Sequence, residues 1–175
     1  MNDGLNTTPH VVPTPEELKH APENSGLEGI TVLRDGRLLA LTEDFKDANG
    51  NFHAWILPTG TGRSEALSLK PRGPFALTDV RQLANGDILT LERRFSRVGG
   101  IGFEMRRIPA KELVPGAVLD GEVIADADMS YVIDNMEGLS VNRGPDGETL
   151  VYIVSDDNFN APLQQTMLMM FELRE

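Results

Sequence analysis

The stretch ALTDVRQLANGDILTLERR, residues 76–94, reads as two short strands around a turn, and the chain repeats it twice. The other copies are GLEGITVLRDGRLLALTED at 26–44 and NMEGLSVNRGPDGETLVYIVSDD at 135–157. Each opens with a short apolar strand, turns at Asp35-Gly36, Asn85-Gly86 or Asp146-Gly147, and continues into a strand rich in Leu, Ile and Val. Asp-Gly or Asn-Gly between such runs predicts a β-hairpin on a type I′ turn, which places both central residues at positive φ.

The equivalent positions Glu28, Thr78 and Glu137 lie 50 and then 59 residues apart. That period suits a four-stranded propeller blade and exceeds a leucine-rich or ankyrin repeat. The sequence between copies supplies further strands: 53–58 (HAWILP) and 64–70 (SEALSLK), then 102–109 (GFEMRRIP) and 118–126 (VLDGEVIAD), with AKELVPG between the last two. The third copy offers only 165–173 (QTMLMMFEL) and lacks an outermost strand. The expected fold is therefore all-β, a partial β-propeller of about three four-stranded antiparallel meanders at about 24–73, 74–132 and 133–175, the last incomplete. A closed ring takes about four to eight blades. Three blades imply half of a six-bladed ring, completed by a missing N-terminal half or by a homodimer, and otherwise an apolar blade face would lie open to water. Residues 1–23 carry Pro9, Pro13, Pro15 and Pro22 and read as a linker or arm. Within them Thr14, Pro15, Glu16 and Glu17 predict a capping box and a short helix through His20.

Composition narrows the function classes. The chain has 175 residues, 40% of them hydrophobic, enough for a real core. A net charge of −11 opposes the counterion release that drives binding to nucleic acid or to anionic lipid. No run of eighteen apolar residues is present and the N-terminus carries no signal-peptide pattern, so neither a membrane span nor an export signal is read here. With no cysteine there is no disulfide framework, thiolate zinc site or cysteine nucleophile. TGTGRS at 59–64 has Leu57 and Arg63 where a Walker loop needs glycine and lysine, and no serine sits in a GxSxG elbow. His10, His20 and His53 show no metal spacing. Asp156, Asn158 and Asn160 have calcium-loop spacing, but Ala161 and Met167 stand where an EF-hand needs glycine and glutamate.

The openings NSGLEG and DNMEGL, the run LTDVRQLANGDILTLERRFSRVGG at 77–100 and the closing VSDDNFNAPLQQTMLMMFEL are similar to the phytase-like family ("esterase-like activity of phytase") over about residues 24–173. ERRFS and SDDNF are the most specific segments. The resemblance implies a propeller of recurrent acidic motifs, found mostly in exported bacterial proteins and so periplasmic or secreted. It also implies a phosphoesterase-type activity tied to the repeated Glu and Asp residues. The chain departs from that pattern in lacking an export signal and the N-terminal half of the ring.

Glu28 and Glu137 each precede a glycine at the start of a predicted innermost strand, and a propeller gathers such positions around its axis. Two carboxylates about 4 Å apart repel by about 4 kcal/mol at an effective dielectric near 20, so they take up a proton, a basic partner or a cation. A divalent cation, Ca2+ for preference, is the expected answer, and the EG opening also resembles gluconolactonase-type propellers, in which an acid so placed helps to hold a metal. The other answer is turn capping, or pairing with Arg37, Arg81 or Arg143. In the middle copy Thr78 takes the glutamate's place and Asp79 the glycine's, moving the acid by one residue. At the far ends of the second strands lie Glu43 and Asp44, Glu92 with Arg93 and Arg94, and Asp156 and Asp157. These acids are candidate ligands or bases, and Arg93 and Arg94 are candidates for bidentate hold on a phosphate. The leading reading is a metal-dependent hydrolase of phosphate esters, with Glu28, Glu137, Asp156 and Asp157 catalytic and Glu28, Asp79, Glu137 and Asp156 around the metal. Its rivals are a non-catalytic propeller that binds a ligand or protein partner, and a lactonase-like esterase.

Overall fold

A computed structural model describes residues 8–9, 11–60, 62–96, 99–160 and 164–174. It is almost entirely β, with twelve strands among the described residues arranged in three sheets. The first sheet orders β1 (Leu27–Val32), β2 (Leu38–Lys46), β3 (Phe52–Leu57) and β4 (Glu65–Leu69) as an antiparallel meander. The second orders β5 (Ala76–Gln82), β6 (Ile88–Ser96), β7 (Gly100–Ile108) and β9 (Glu122–Asp128) in the same way. The third holds β10 (Met136–Arg143), β11 (Thr149–Ser155) and β12 (Leu168–Leu173). The sheets do not close on one another.

The segment expected to form one strand at 118–126 is divided. Val118–Leu119, β8, pairs in parallel with β4 and so extends the first sheet, whereas β9 completes the second. Between them Gly121 adopts φ +63°, a conformation that lets the chain turn from one sheet to the next.

The three hairpins form where expected, on a different turn. Leu33 N–H donates to Arg37 O and Gly36 N–H to Leu33 O, and the same pair of bonds recurs at Leu83, Gly86 and Asp87 and at Gly144, Gly147 and Glu148. Only the glycine of each turn has positive φ, at 85°, 98° and 88°. This is a type I turn closed by a glycine bulge, not type I′, because Asp35, Asn85 and Asp146 keep negative φ. Asp35 and Asn85 instead fold their side-chain oxygens back onto the N–H two residues on.

The first strands of the three sheets run side by side. Thr31 Oγ1 accepts from Gln82 N–H, and a Cβ on Gly29 would lie 2.9 Å from Val80. Across the second junction Asp79 Oδ2 accepts from Leu139 N–H at 2.8 Å and Thr78 Oγ1 donates to Met136 O. In all three strands the register slips once, between Leu27 and Gly29, Leu77 and Asp79, and Met136 and Gly138. Glu28, Thr78 and Glu137 are thus the extra residues of three β-bulges, a device that re-aims a side chain at the end of regular pairing.

The N-terminal segment does more than link. Val12 and Leu18 pack on Ala40, Trp55 and Leu57 over the outer face of the first sheet. Glu16–His20 is a 3-10 helix capped at Pro15 without a side-chain hydrogen bond, so the expected capping box is not made. The outer face of the third sheet has no such cover among the described residues, and Leu168 and Met170 stand exposed there.

Candidate functional site

Strand β6 positions the site through its period of two. In Leu89-Thr90-Leu91-Glu92-Arg93, the leucines are buried in the cluster shared with β10 and β11, and Glu92 turns the other way, toward the first sheet. Arg93 continues the leucine row and emerges where the second and third sheets meet. Its Nε lies 3.3 Å from Glu137 Oε1 and its Nη2 3.5 Å from Glu43 Oε1. Arg93 Nε is buried yet makes no hydrogen bond within the protein. Glu137, re-aimed by its bulge, also accepts from Asn135 Nδ2, itself buried.

Burial pushes the Glu43 carboxyl above the ordinary glutamate range, Arg93 opposes that rise, and the charges of Glu28 and Glu137 reinforce it. Glu28 and Glu137 therefore both lie within electrostatic reach of Glu43. Glu43, three residues before the end of β2, joins Glu137 beside Arg93. The cation beside them is a guanidinium from the same chain.

Arg93 and Asn135 also line an open cleft of about 390 Å³, with Phe95, Ile101, Asn158 and Gln164. Asp156 and Asp157 do not line it and instead hold the turn beside it: Asp156 Oδ1 accepts from Asn158 N–H, and Asp157 Oδ1 from Phe159 N–H. That turn carries Asn158 and Phe159 at φ 48° and 57°. Positive φ is uncommon for a bulky aromatic, and such strain concentrates at working sites. Arg94 points to the opposite face of the sheet, donates to Gly99 O and lies over the Phe75 ring. Arg93 and Arg94 are thus placed apart and do not share one phosphate.

The donor set read for a divalent cation is not brought together. Asp79 spends both oxygens, Oδ1 on Val80 N–H and Arg81 and Oδ2 on Leu139 N–H, which makes it a bolt between β5 and β10. Asp156 caps its own turn. Among the described residues no three His, Asp or Glu side chains are grouped to hold a metal ion. As placed, Glu43 and Glu137 share the Arg93 guanidinium. Asn135 is a site residue that sequence reading missed, because nothing local separates an asparagine before a strand from an ordinary turn residue.

The family described as phytase-like, esterase-like activity of phytase, matches residues 3–159. This chain belongs to the phytase-like family. The match begins inside the segment read as a linker, in keeping with the packing of Val12 and Leu18 on the first sheet. Among solved structures, the phytase-like chain is similar to a protein of unknown function from Bacteroides caccae at 15% identity and TM-score 0.41, covering 87% of this chain and 48% of that one. It is also similar to a putative oxidoreductase (glucose dehydrogenase) from Thermus thermophilus at 20% identity and TM-score 0.41, covering 77% and 39%. The chain spans about half the length of the first and less of the second. No curated protein matches it.

Proposed function

We propose that this chain contributes a phosphate-ester hydrolase site centred on Arg93, and that its three sheets are consecutive blades of a propeller completed by further blades. The observation that carries the first part is the Arg93 guanidinium, flanked by Glu43 and Glu137 and lining an open cleft. A phosphoryl oxygen is the acceptor such a group suits, and its charge is stabilised by a fixed guanidinium. Asn135 and Gln164 add neutral polar groups to the same cleft.

Hydrolysis breaks the bond from phosphorus to the ester oxygen and forms one from phosphorus to water oxygen. Glu137, beside Arg93, takes the proton from the attacking water. Glu43, whose carboxyl is held up by burial, gives a proton to the leaving oxygen. Burial first, and the charge of Glu28 after it, act to raise the Glu43 carboxyl. No step is routed through a metal.

The test is release of p-nitrophenol from p-nitrophenyl phosphate, with and without added calcium or chelator. Arg93→Ala should lower kcat/KM by about a hundredfold or more, with partial rescue in Arg93→Lys. Glu43→Gln should remove the basic-side limb of the pH profile while leaving KM little changed. Turnover of p-nitrophenyl acetate or a lactone but not of the phosphate would favour the lactonase-like reading; no turnover of any of them would favour a binding module. Calcium-dependent turnover abolished by Glu28→Gln would return the cation to the site. Mass in solution separates a single chain from a dimer that completes the ring.

A further inference from the structure

One contact, used twice, stacks the three sheets. The face of the first sheet that carries Leu39, Leu41 and Ile56 packs on Val80 and Ile88 of the second. The face of the second that carries Leu89, Leu91 and Met105 packs on Leu139 and Ile153 of the third. Each sheet thus has a leading face, turned to the next sheet, and a trailing face, turned to the one before. Positions counted from the three bulges correspond: Leu41, Leu91 and Val154 pair with Gly29, Asp79 and Gly138 and share the leading face. Ile30, Val80 and Leu139, one residue further along β1, β5 and β10, share the trailing face.

The stack therefore ends in the two unlike halves of that same contact, the trailing face of the first sheet and the leading face of the third. Both are apolar and incompletely covered. Ile30 is 48% exposed, against 0% for Val80 and 3% for Leu139 in the equivalent place. Leu168 is 73% exposed, against 0% for Ala54 and 3% for Met105 in its own equivalent places. Val32 stands exposed beside Ile30, and Val154 and Met170 beside Leu168. One detail matches the halves more closely. Between the first two sheets Val80 lies against Gly29, where a Cβ would come within 2.9 Å. Gly138 is the equivalent glycine of the third sheet, and it lines an open hollow of about 210 Å³ with Tyr152, Val154 and Leu168. Ile30 of a second copy, in the place of Val80, is the side chain that this hollow suits.

Residues 11–20 occupy part of the same seat. Val12 and Leu18 cover Ala40, Trp55 and Leu57 on the trailing face of the first sheet. Trp55 and Leu57 correspond to Met169 and Phe171, which pack on the second sheet. The segment takes the β2–β3 half of the seat and leaves the β1 half bare, and its 3-10 helix buries no residue.

Exposed apolar patches mark association surfaces, and a contact between unlike faces either closes into a ring or runs on as a chain. We propose that the leading face of the third sheet docks on the trailing face of the first sheet of a second copy, and that residues 11–20 hold this seat until they are displaced. The proposal rests on the reading of the sheets as consecutive blades, not on the Arg93 chemistry. Two copies joined at both ends hold six sheets, within the range of about four to eight blades of a closed ring.

Sedimentation equilibrium of the full chain from about 5 to about 500 µM tests this, a range that detects association as weak as about 100 µM. Leu18→Asp, which loosens the covering segment, should bring the mass to twice the 19.2 kDa of one chain at concentrations about tenfold or more below those the unaltered chain needs. Ile30→Asp or Leu168→Asp, added to that variant, should each abolish the dimer, and both positions are exposed, so the fold is retained. An equal mixture of these two should restore it, because one intact leading face then meets one intact trailing face. A dimer indifferent to Ile30→Asp, as pairing of third sheet with third sheet would give, overturns the proposal. Association that Leu18→Asp leaves unchanged overturns it too, as does a single-chain mass throughout the range for Leu18→Asp, or for Leu18→Ala if the aspartate variant does not fold. Masses climbing beyond two copies support the docking and count against ring closure. A dimer without turnover of p-nitrophenyl phosphate supports the docking and overturns the Arg93 reading alone.

Discussion

The two faces of the second sheet are built on opposite principles from alternate residues of the same strands. Toward the third sheet, Leu89, Leu91, Phe103 and Met105 make a dry seam that ends in one charged group, Arg93. Toward the first sheet, Ile88 and Ile108 give way to Thr90, Glu92, Glu104 and Arg106, a fully or nearly buried polar network. Glu92 and Arg106 have no exposed side chain at all. The apolar seam gains from area alone and leaves its arginine at the mouth of a cleft. The Glu92–Arg106 pair at the heart of the charged seam holds only while both partners are present, because burying an unpaired ion costs far more than the pair returns.

The sharpest break in this comparison is Arg106→Met. Removing one member of the buried pair leaves Glu92 uncompensated and should cost about 3–5 kcal/mol in chemical denaturation, with most of it recovered in the double variant Glu92→Leu, Arg106→Met. On the apolar face, Met105→Ala should cost about 2–5 kcal/mol with no rescuing partner, since the loss is transfer energy plus a cavity. Asp79→Ala, which unbolts β5 from β10 and leaves the Leu139 N–H buried without an acceptor, should cost about 1–3 kcal/mol, read in the same way.

Acidity sharpens the contrast. Burial, with Glu92 nearby, raises the Glu104 carboxyl above its ordinary value of 4.5, while Arg106 and Arg72 pull it down and Asp126 adds to the rise. A carboxyl raised on folding contributes stability that is present below its unfolded value and lost as pH rises through its folded value. Glu104→Gln should therefore raise Tm at about pH 7 and have progressively less effect as the pH falls toward about 4, in thermal melts across that range. The smallest effect is expected far from both seams. Leu18→Ala, which thins the cover over Trp55, should cost about 1 kcal/mol and shift the tryptophan emission to longer wavelength.

The hairpins were legible because Asp-Gly and Asn-Gly are local signals, and a glycine at positive φ is required by either turn type. Turn type was not legible, since a type I turn with a glycine bulge and a type I′ turn draw on the same dipeptides. Repetition disclosed Glu28 and Glu137 as equivalent, while the bulge that aims them shows only in the register between strands. The run Val118–Asp126 looked like one strand because its apolar residues nearly alternate, and Gly121 was a weak hint of the break. Prolines made the N-terminal segment look detached, yet two isolated apolar residues, Val12 and Leu18, dock it.

Neighbours in sequence set the strands, the turns, the repeat, and the opposed facing of Arg93 and Arg94 along a pleat. Which acid meets which arginine was settled at the level of packed sheets. Glu43, Arg93 and Glu137 come from three different sheets and lie far apart along the chain, as do Arg72 and Asp120. Their meeting depends on how sheets stack, and a charge in a strand carries no local mark of the surface it will face.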